Sequence, residues 1–395
     1  MRLLFPALVV LLALAPASVR AQATVTLTGT VTADDGEPLP GANVFIARSQ
    51  RGTVADAQGR YRLAGVPLGA HRLVASFVGF ETAGEDLVLR RAGETRTIDF
   101  RLREAAVELG EVTAEAERDD RWRQRYERFQ RRFLGETANA AETEILNPFV
   151  LDFEERRGTL SASAREPLVI ENRALGYRIR YDLTDFEARS DYNFFYGEAF
   201  YEELEPTDPT DRARWERNRR AAYRGSFRHL LRSLIAGTAD AQGFSLYLLP
   251  NQGPGGIGGG SPFGNRRQGG NRFPTTEAEI LKPARQEGEY VLEFRGVLQT
   301  IYRDEPEEPG FLEREWARER RPLREVQTSE LRFPIAEISA QLDRFGEELD
   351  PRSITVSGYM AFERFADELP KEYGLAESGL PGAVEAVQGL ENEGR

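Results

Sequence analysis

Polar and apolar positions alternate in short runs across residues 24–102. Val25, Leu27 and Val31 lie in a threonine-rich run that Gly29 is expected to break. Residues 42–47 continue the pattern, followed by Tyr61 and Leu63, then Leu73, Ala75 and Phe77. Leu87 and Leu89, and finally Ile98, Phe100 and Leu102, complete it. Alternation of period two places one side chain in each pair on a buried face, as strands require. Asp34-Asp35-Gly36, Asp56-Ala57-Gln58-Gly59 and Val66-Pro67-Leu68-Gly69 separate the runs, and such residues tolerate turn geometry. Short strands at this spacing predict a β-sandwich over residues 24–104.

The pattern then changes. Asp119 and Asp120 can cap a helix reaching about residue 134, with Trp122, Tyr126, Phe129 and Phe133 on one face. Arg121, Arg125, Arg128, Arg131 and Arg132 lie mostly around that face. Such a helix either touches an anionic surface or packs its aromatics inward with its arginines in water. Residues 105–136 are thus read as a linker and amphipathic helix, and residues 137–370 as an α+β domain with an antiparallel sheet. Its expected strands are residues 168–171, 177–183, 194–201, 327–333 and 354–360. Residues 290–302 read as one long strand with Gly296 as a bulge. Residues 211–236 read as one helix, and a shorter helix carries Phe365, Ala366 and Leu369. Residues 252–272, rich in glycine, asparagine and arginine, read as a flexible loop. Residues 371–395 read as a disordered acidic tail.

The run Gly29-Thr30-Val31, then Gly36-Glu37-Pro38-Leu39-Pro40-Gly41-Ala42-Asn43-Val44, resembles the opening of carboxypeptidase-regulatory-like domains. Thr53, Asp56, Gly59-Arg60-Tyr61, Val66-Pro67-Leu68-Gly69 and Phe77-Val78-Gly79-Phe80 follow in the order of that family. The resemblance implies a prealbumin-like, seven-stranded sandwich. It implies a module found on metallocarboxypeptidases, before the plug of TonB-dependent receptors, and in other envelope proteins. Leu109-Gly110-Glu111-Val112 resembles the stretch that leads into such a plug, but the remaining chain is too short for a large barrel. Gly29, Gly36, Gly41, Asp56, Gly59, Gly69 and Gly79 are read as scaffold rather than as a ligand site. Glu166-Pro167-Leu168-Val169-Ile170-Glu171-Asn172, with the closing Gly358-Tyr359 and Leu369-Pro370, is similar to uncharacterised envelope proteins and implies no activity.

Composition narrows the chemistry. The net charge of −12 argues against a nucleic-acid partner. Lysine occurs only at positions 282 and 371, so the positive charge is almost all arginine. The chain has no cysteine, which removes disulfides, thiolate sites, a cysteine nucleophile and a cysteine-linked lipid. Arg2, the apolar residues 3–15 and the small-residue sites before Gln22 and Thr24 read as a signal peptide over residues 1–21, and so as export. No later stretch reads as a transmembrane helix, and peripheral membrane contact is left open. Export places the mature chain in the periplasm, at the outer membrane or outside the cell.

His71 and His229 are the only histidines, and neither stands in a zinc-peptidase spacing. No nucleophile elbow is present. No catalytic residue, metal ligand or cofactor is assigned. Carboxylates beside aromatics remain as a sugar platform or an ordinary half-buried strand: Glu198, Glu202 and Glu203 among Tyr192, Phe194, Tyr196, Phe200 and Tyr201. The candidate partner or glycan surface is therefore Tyr192, Phe194, Tyr196 and Tyr201, with Arg121, Arg125 and Arg128. The expected function is that of a non-catalytic envelope protein whose sandwich is a recognition or spacer module for a protein or glycan partner. An accessory of an outer-membrane transport or secretion system, and a carbohydrate-active protein, are the alternatives.

Overall fold

The computed structural model describes residues 24–105, 119–190, 192–250, 272–313, 322–334, 337–375 and 380. The expected signal peptide and nearly all of the glycine-rich loop lie outside these residues, as does the tail beyond residue 380.

The sandwich is built from β1 (Thr24–Ala33), β2 (Asn43–Ile46), β3 (Gly52–Val54), β4 (Arg60–Pro67), β5 (Gly69–Ser76), β6 (Ala83–Leu89), β7 (Thr95–Thr97) and β8 (Phe100–Leu102). One sheet runs β4-β1 with β7 and β8 on the far edge of β1, and the other runs β3-β2-β5-β6. β7 and β8 pair in parallel with successive stretches of β1. Between them Asp99 accepts from the Thr30 N–H (2.7 Å) and the Thr30 hydroxyl, so a side chain replaces the ladder there. Taken as one interrupted strand, β7 and β8 complete the expected seven. The alternating residues meet between the sheets: Val25, Leu27, Val31, Leu63, Leu73, Leu87, Phe100 and Leu102 are all buried.

Gly29 does not break its strand. It sits inside continuous β1, where a Cβ would stand 1.8 Å from the Ile98 carbonyl oxygen. The missing side chain is what lets the last strand close on the first.

The second region opens with α1 (Asp120–Phe133), capped by Asp119, whose side chain accepts from the Trp122 N–H. It continues with α2 (Ala138–Ala141), β9 (Thr143–Ile145), β10 (Leu151–Arg156), β11 (Thr159–Ala164), β12 (Leu168–Asn172), β13 (Tyr177–Ala188) and β14 (Asn193–Glu203). These strands form one antiparallel sheet, with β14 along one edge of β13 and β12 and β11 along the other. Phe129 and Phe133 of α1 are buried in the core of this sheet beside Tyr181, Phe186 and Phe365. The helix expected to belong to a linker is thus part of the second region's core.

The expected helix over residues 211–236 is two helices, α3 (Asp211–Tyr223) and α4 (Phe227–Ala236). Gly225, at φ +74°, turns the chain between them, with a Cβ position only 2.4 Å from Gln327. Next come β15 (Phe244–Leu249), β16 (Phe273–Pro274), α5 (Glu277–Ile280), β17 (Leu281–Pro283), β18 (Glu289–Glu293) and β19 (Val297–Tyr302). α6 (Pro309–Glu313), β20 (Gln327–Arg332), β21 (Ser339–Asp343) and β22 (Thr355–Gly358) follow. The run expected to be one long strand is divided: β18 joins β17 and β21, while β19 joins β15 and β20. Gly296 is a turn between sheets, not a bulge, with φ +87°. These two sheets and α4 enclose a separate core of Leu230, Leu234, Leu246, Leu292, Leu298, Leu331 and Leu342. Among the described residues, 137–370 therefore hold two large hydrophobic cores and a smaller cluster of Phe311, Tyr359 and Phe362.

Residues 371–375 correct the expected tail boundary. Glu372 and Leu375 are buried, and Lys371 is half-buried. These residues run between the sandwich and the rest of the chain, and we call residues 368–375 the strap.

Candidate functional site

β14 has two faces, and both are covered. Phe195, Ala199 and Tyr201 point into the core that holds α1. Tyr201 is 1% exposed, so it is not a surface residue, contrary to expectation. Phe194, Tyr196, Glu198 and Phe200 line the other face. Phe200 packs on Phe45 of the sandwich, with ring centroids 5.1 Å apart. Glu198 forms an ion pair with Arg72 of β5 at 2.6 Å. Phe194 is capped by Arg352, whose guanidinium carbon lies 3.8 Å from the ring centroid. The same guanidinium donates to the Tyr192 hydroxyl (3.2 Å) and to Asp185. Of the aromatics singled out in the sequence, Tyr201 is buried in the core, Tyr192 and Phe194 are half-buried against Arg352, and Tyr196 is half-buried.

The arginines of α1 divide similarly. Arg128 pairs with Glu155 at 2.8 Å and donates to the Gly158 and Ala188 carbonyls. Arg125 lies 3.8 Å from the same Glu155, and Arg121 is exposed. Trp122 stacks with Tyr126 and with Phe149, at centroid distances of 5.1 and 5.3 Å. The inward-packing reading of α1 describes this helix.

The turn that joins β2 to β3 carries a set of polar contacts to the second region. The Arg48 N–H donates to Ala199 O, the Tyr201 N–H to Ser49 O, and the Lys371 N–H to Arg48 O. Among the described residues Arg48 is one of two non-glycine residues at positive φ, here +60°. This left-handed backbone is unfavourable for a residue with a Cβ and persists where surrounding contacts dictate it. Its guanidinium reaches Glu347 at 3.0 Å, and Arg228 of α4 holds the other Glu347 oxygen at 2.6 Å. Burial pushes the Glu347 carboxyl up, but Arg228, Arg48 and Arg232 outweigh it and hold the pKa at about 2.

The strap threads through this junction. Arg232, fully buried, donates to the carbonyls of Phe345, Lys371 and Tyr373. Glu372 lies 3.8 Å from Arg51 of the sandwich. Lys371 Nζ lies 2.9 Å from His71 Nδ1, and His71 Nε2 lies 2.8 Å from Pro67 O. A carbonyl can only accept, so Nε2 carries the ring proton and Nδ1 accepts from the lysine ammonium. Burial, with Lys371 beside the ring, holds the His71 pKa well below the usual histidine range. A cavity of about 10 Å³ lies between Ile46, Arg51, His71, Phe345 and Lys371. That is no more than one water needs.

His229 is also committed: Nδ1 accepts from the Gly225 N–H (3.1 Å), and Nε2 donates to Gln242 (3.2 Å). Its pKa is lowered by burial. Among the described residues no group of three or more histidine, aspartate or glutamate side chains is placed to hold a metal. No helix among them is long and apolar enough to cross a membrane. Sequence reasoning missed Arg48, Arg51, Arg72, Glu347, Lys371 and Glu372. The scarcity of lysine was the one local signal that marked any of them.

Residues 26–103 match the profile of the family described as Carboxypeptidase regulatory-like domain. The TonB-dependent receptor P39 of Formosa agariphila is 38% identical over 86 residues, which is 22% of this chain and 8% of the receptor. The chain therefore spans under a tenth of that relative's length. Among solved structures, catechol 1,2-dioxygenase from Acinetobacter sp. ADP1 aligns at 15% identity and TM-score 0.19, over 22% of this chain and 55% of that one. The dioxygenase domain of a dioxygenase carbohydrate-binding protein fusion from Streptomyces sp. SirexAA-E aligns at 18% identity and TM-score 0.19. It covers 22% of this chain and 84% of that one. Scores this low carry no argument about activity. The order of turns and strands, the buried alternation and the profile match agree over one stretch: residues 26–103 are a carboxypeptidase regulatory-like domain.

Proposed function

We propose that this chain is an exported, non-catalytic envelope protein in which the regulatory-like sandwich is a fixed spacer and recognition module. The observation that carries this reading is the seam itself. One end of the sandwich is fastened to the second region by backbone bonds and half-buried charge pairs. The strands that leave this end, β2 and β5, run to an opposite end where Val78 is 85% exposed. A module anchored in this way presents its free end in one orientation, which limits the ordering entropy of engaging a partner. Export rests on the charged and apolar N-terminal residues. The receptor relative supports an envelope location.

That relative also favours a second reading, an accessory of a TonB-dependent transport or secretion system. A glycan platform on Tyr192, Phe194 and Tyr196 has less support, because Arg352 and the sandwich occupy that face.

The test is recovery from native envelopes of a chain tagged after Arg395, following crosslinking, with its mature N-terminus sequenced. Recovery of a defined envelope protein with a start near residue 22 or 24 is expected. A barrel or secretion component in the recovered material selects the accessory reading. An uncleaved cytoplasmic chain overturns both.

A further inference from the structure

We propose that the contact between Lys371 and His71 is an acid-released latch, which fastens the strap to the sandwich only while His71 is neutral. The inference goes beyond the spacer reading and does not depend on export or on a partner.

It follows from where the two ring protons can sit. Nε2 is committed to Pro67 O at the end of β4. The only remaining lone pair, on Nδ1, is filled by the Lys371 ammonium at 2.9 Å. A second ring proton must go to Nδ1, where it would face an N–H donor with no acceptor between them. Protonation of His71 and docking of Lys371 therefore exclude each other.

The surrounding charges sharpen this. Arg51, from the turn after β2, and Arg344, from the turn after β21, both act on the ring as cations, as does Lys371. On the acidic side stand Glu372 on the strap and Asp343 and Glu347 beyond it, all acting on Lys371, with Arg48 opposing them. Glu347 is already held by Arg48 and Arg228. A histidinium would add a further cation to this group inside a buried seam.

The sign is fixed by linkage. A free histidine takes its proton near about 6.5, and the docked ring does so lower. Docking stability from His71 is complete above about pH 6.5 and falls as pH drops below it, by about tenfold in the docking constant per pH unit. Asp343 acts oppositely. Burial pushes its pKa up to about 6, so acidification below that value favours its docked, protonated form.

The test uses the full chain. Hydrogen exchange over residues 370–375, corrected for intrinsic rates, is followed from pH 7.5 to 5.5. Histidine nitrogen shifts are recorded in the same samples, and the chain's two histidines make assignment simple. Protection of the strap is expected to fall by pH 5.5, by about tenfold from His71 less the part that Asp343 offsets, while His71 stays neutral in the docked chain. His71→Asn presents an oxygen to Lys371, stays neutral, and is expected to flatten the profile. Asp343→Asn is expected to keep or steepen it. Strap protection unchanged at pH 5.5 overturns the latch, as does an equal pH response in His71→Asn or its loss in Asp343→Asn. If His71→Asn folds poorly, the wild-type shifts decide: a His71 ring that is protonated while strap protection is unchanged overturns it too.

Discussion

Arg48 combines two demands that usually call for different residues. Its backbone is left-handed, which suits glycine, and its side chain must reach Glu347. Arg48→Gly keeps the turn and removes the charge, whereas Arg48→Ala removes the charge and keeps the strain. Alanine is expected to be the worse substitution by about 1 kcal/mol, read as the difference in urea unfolding free energy. The Glu347 pKa of about 2 lies below the ordinary 4.5. Its contribution is therefore present above pH 4.5 and lost as pH falls toward 2. Glu347→Gln should remove that part of the acid-unfolding profile, and an unchanged profile would show that Arg48 and Arg228 do not act through it. The residues of the sandwich motif were legible because their turns are local. Tyr201 was not. Phe194, Tyr196 and Phe200 alternate with Phe195, Ala199 and Tyr201, and a strand covered on both faces gives no polar period to tell them apart.

At the scale of elements, α1 was readable nearly to its ends, because its cap and its aromatic stripe are both written in local spacing. Phe133 meets Tyr181, Phe195 and Phe365 in the core. Phe133→Ala is expected to destabilise the fold by about 3–5 kcal/mol, and Asp119→Ala by about 1 kcal/mol, both measured by thermal unfolding. A small effect at Phe133 would mean that the helix can leave the core at little cost. The boundaries between α3 and α4 and between β18 and β19 were not legible. In each case one glycine turns a chain whose hydrophobic period continues on both sides, and the reason lies in distant contacts. Gly225 is pressed against Tyr302 and Gln327, and the strands flanking Gly296 find partners in different sheets. Gly29 was misread for a similar reason, since Ile98 stands against it from 69 positions away in the chain, a closeness that no window of sequence contains.

For the whole molecule, the seam makes the sandwich and the second region one mechanical unit. A chain ending at Pro370 lacks Lys371, Glu372 and two of the three carbonyls that Arg232 holds. Calorimetry of that truncation is expected to show the sandwich melting separately, where the full chain melts in one transition. A single transition in both would mean that the strap is dispensable. None of this was visible in the sequence, because the partners Lys371 and His71 are 300 positions apart and follow no period. The scarcity of lysine has a practical consequence. Amine-directed reagents will find little to attack on this arginine-rich surface: Lys282 is exposed, and Lys371 is spent inside the seam. An attempt to trap a partner with such reagents would be nearly blind, and carboxyl- or light-activated chemistry is the better choice. The same scarcity makes acylation of Lys371, set against Lys282 as an internal standard, a direct count of how often the seam opens.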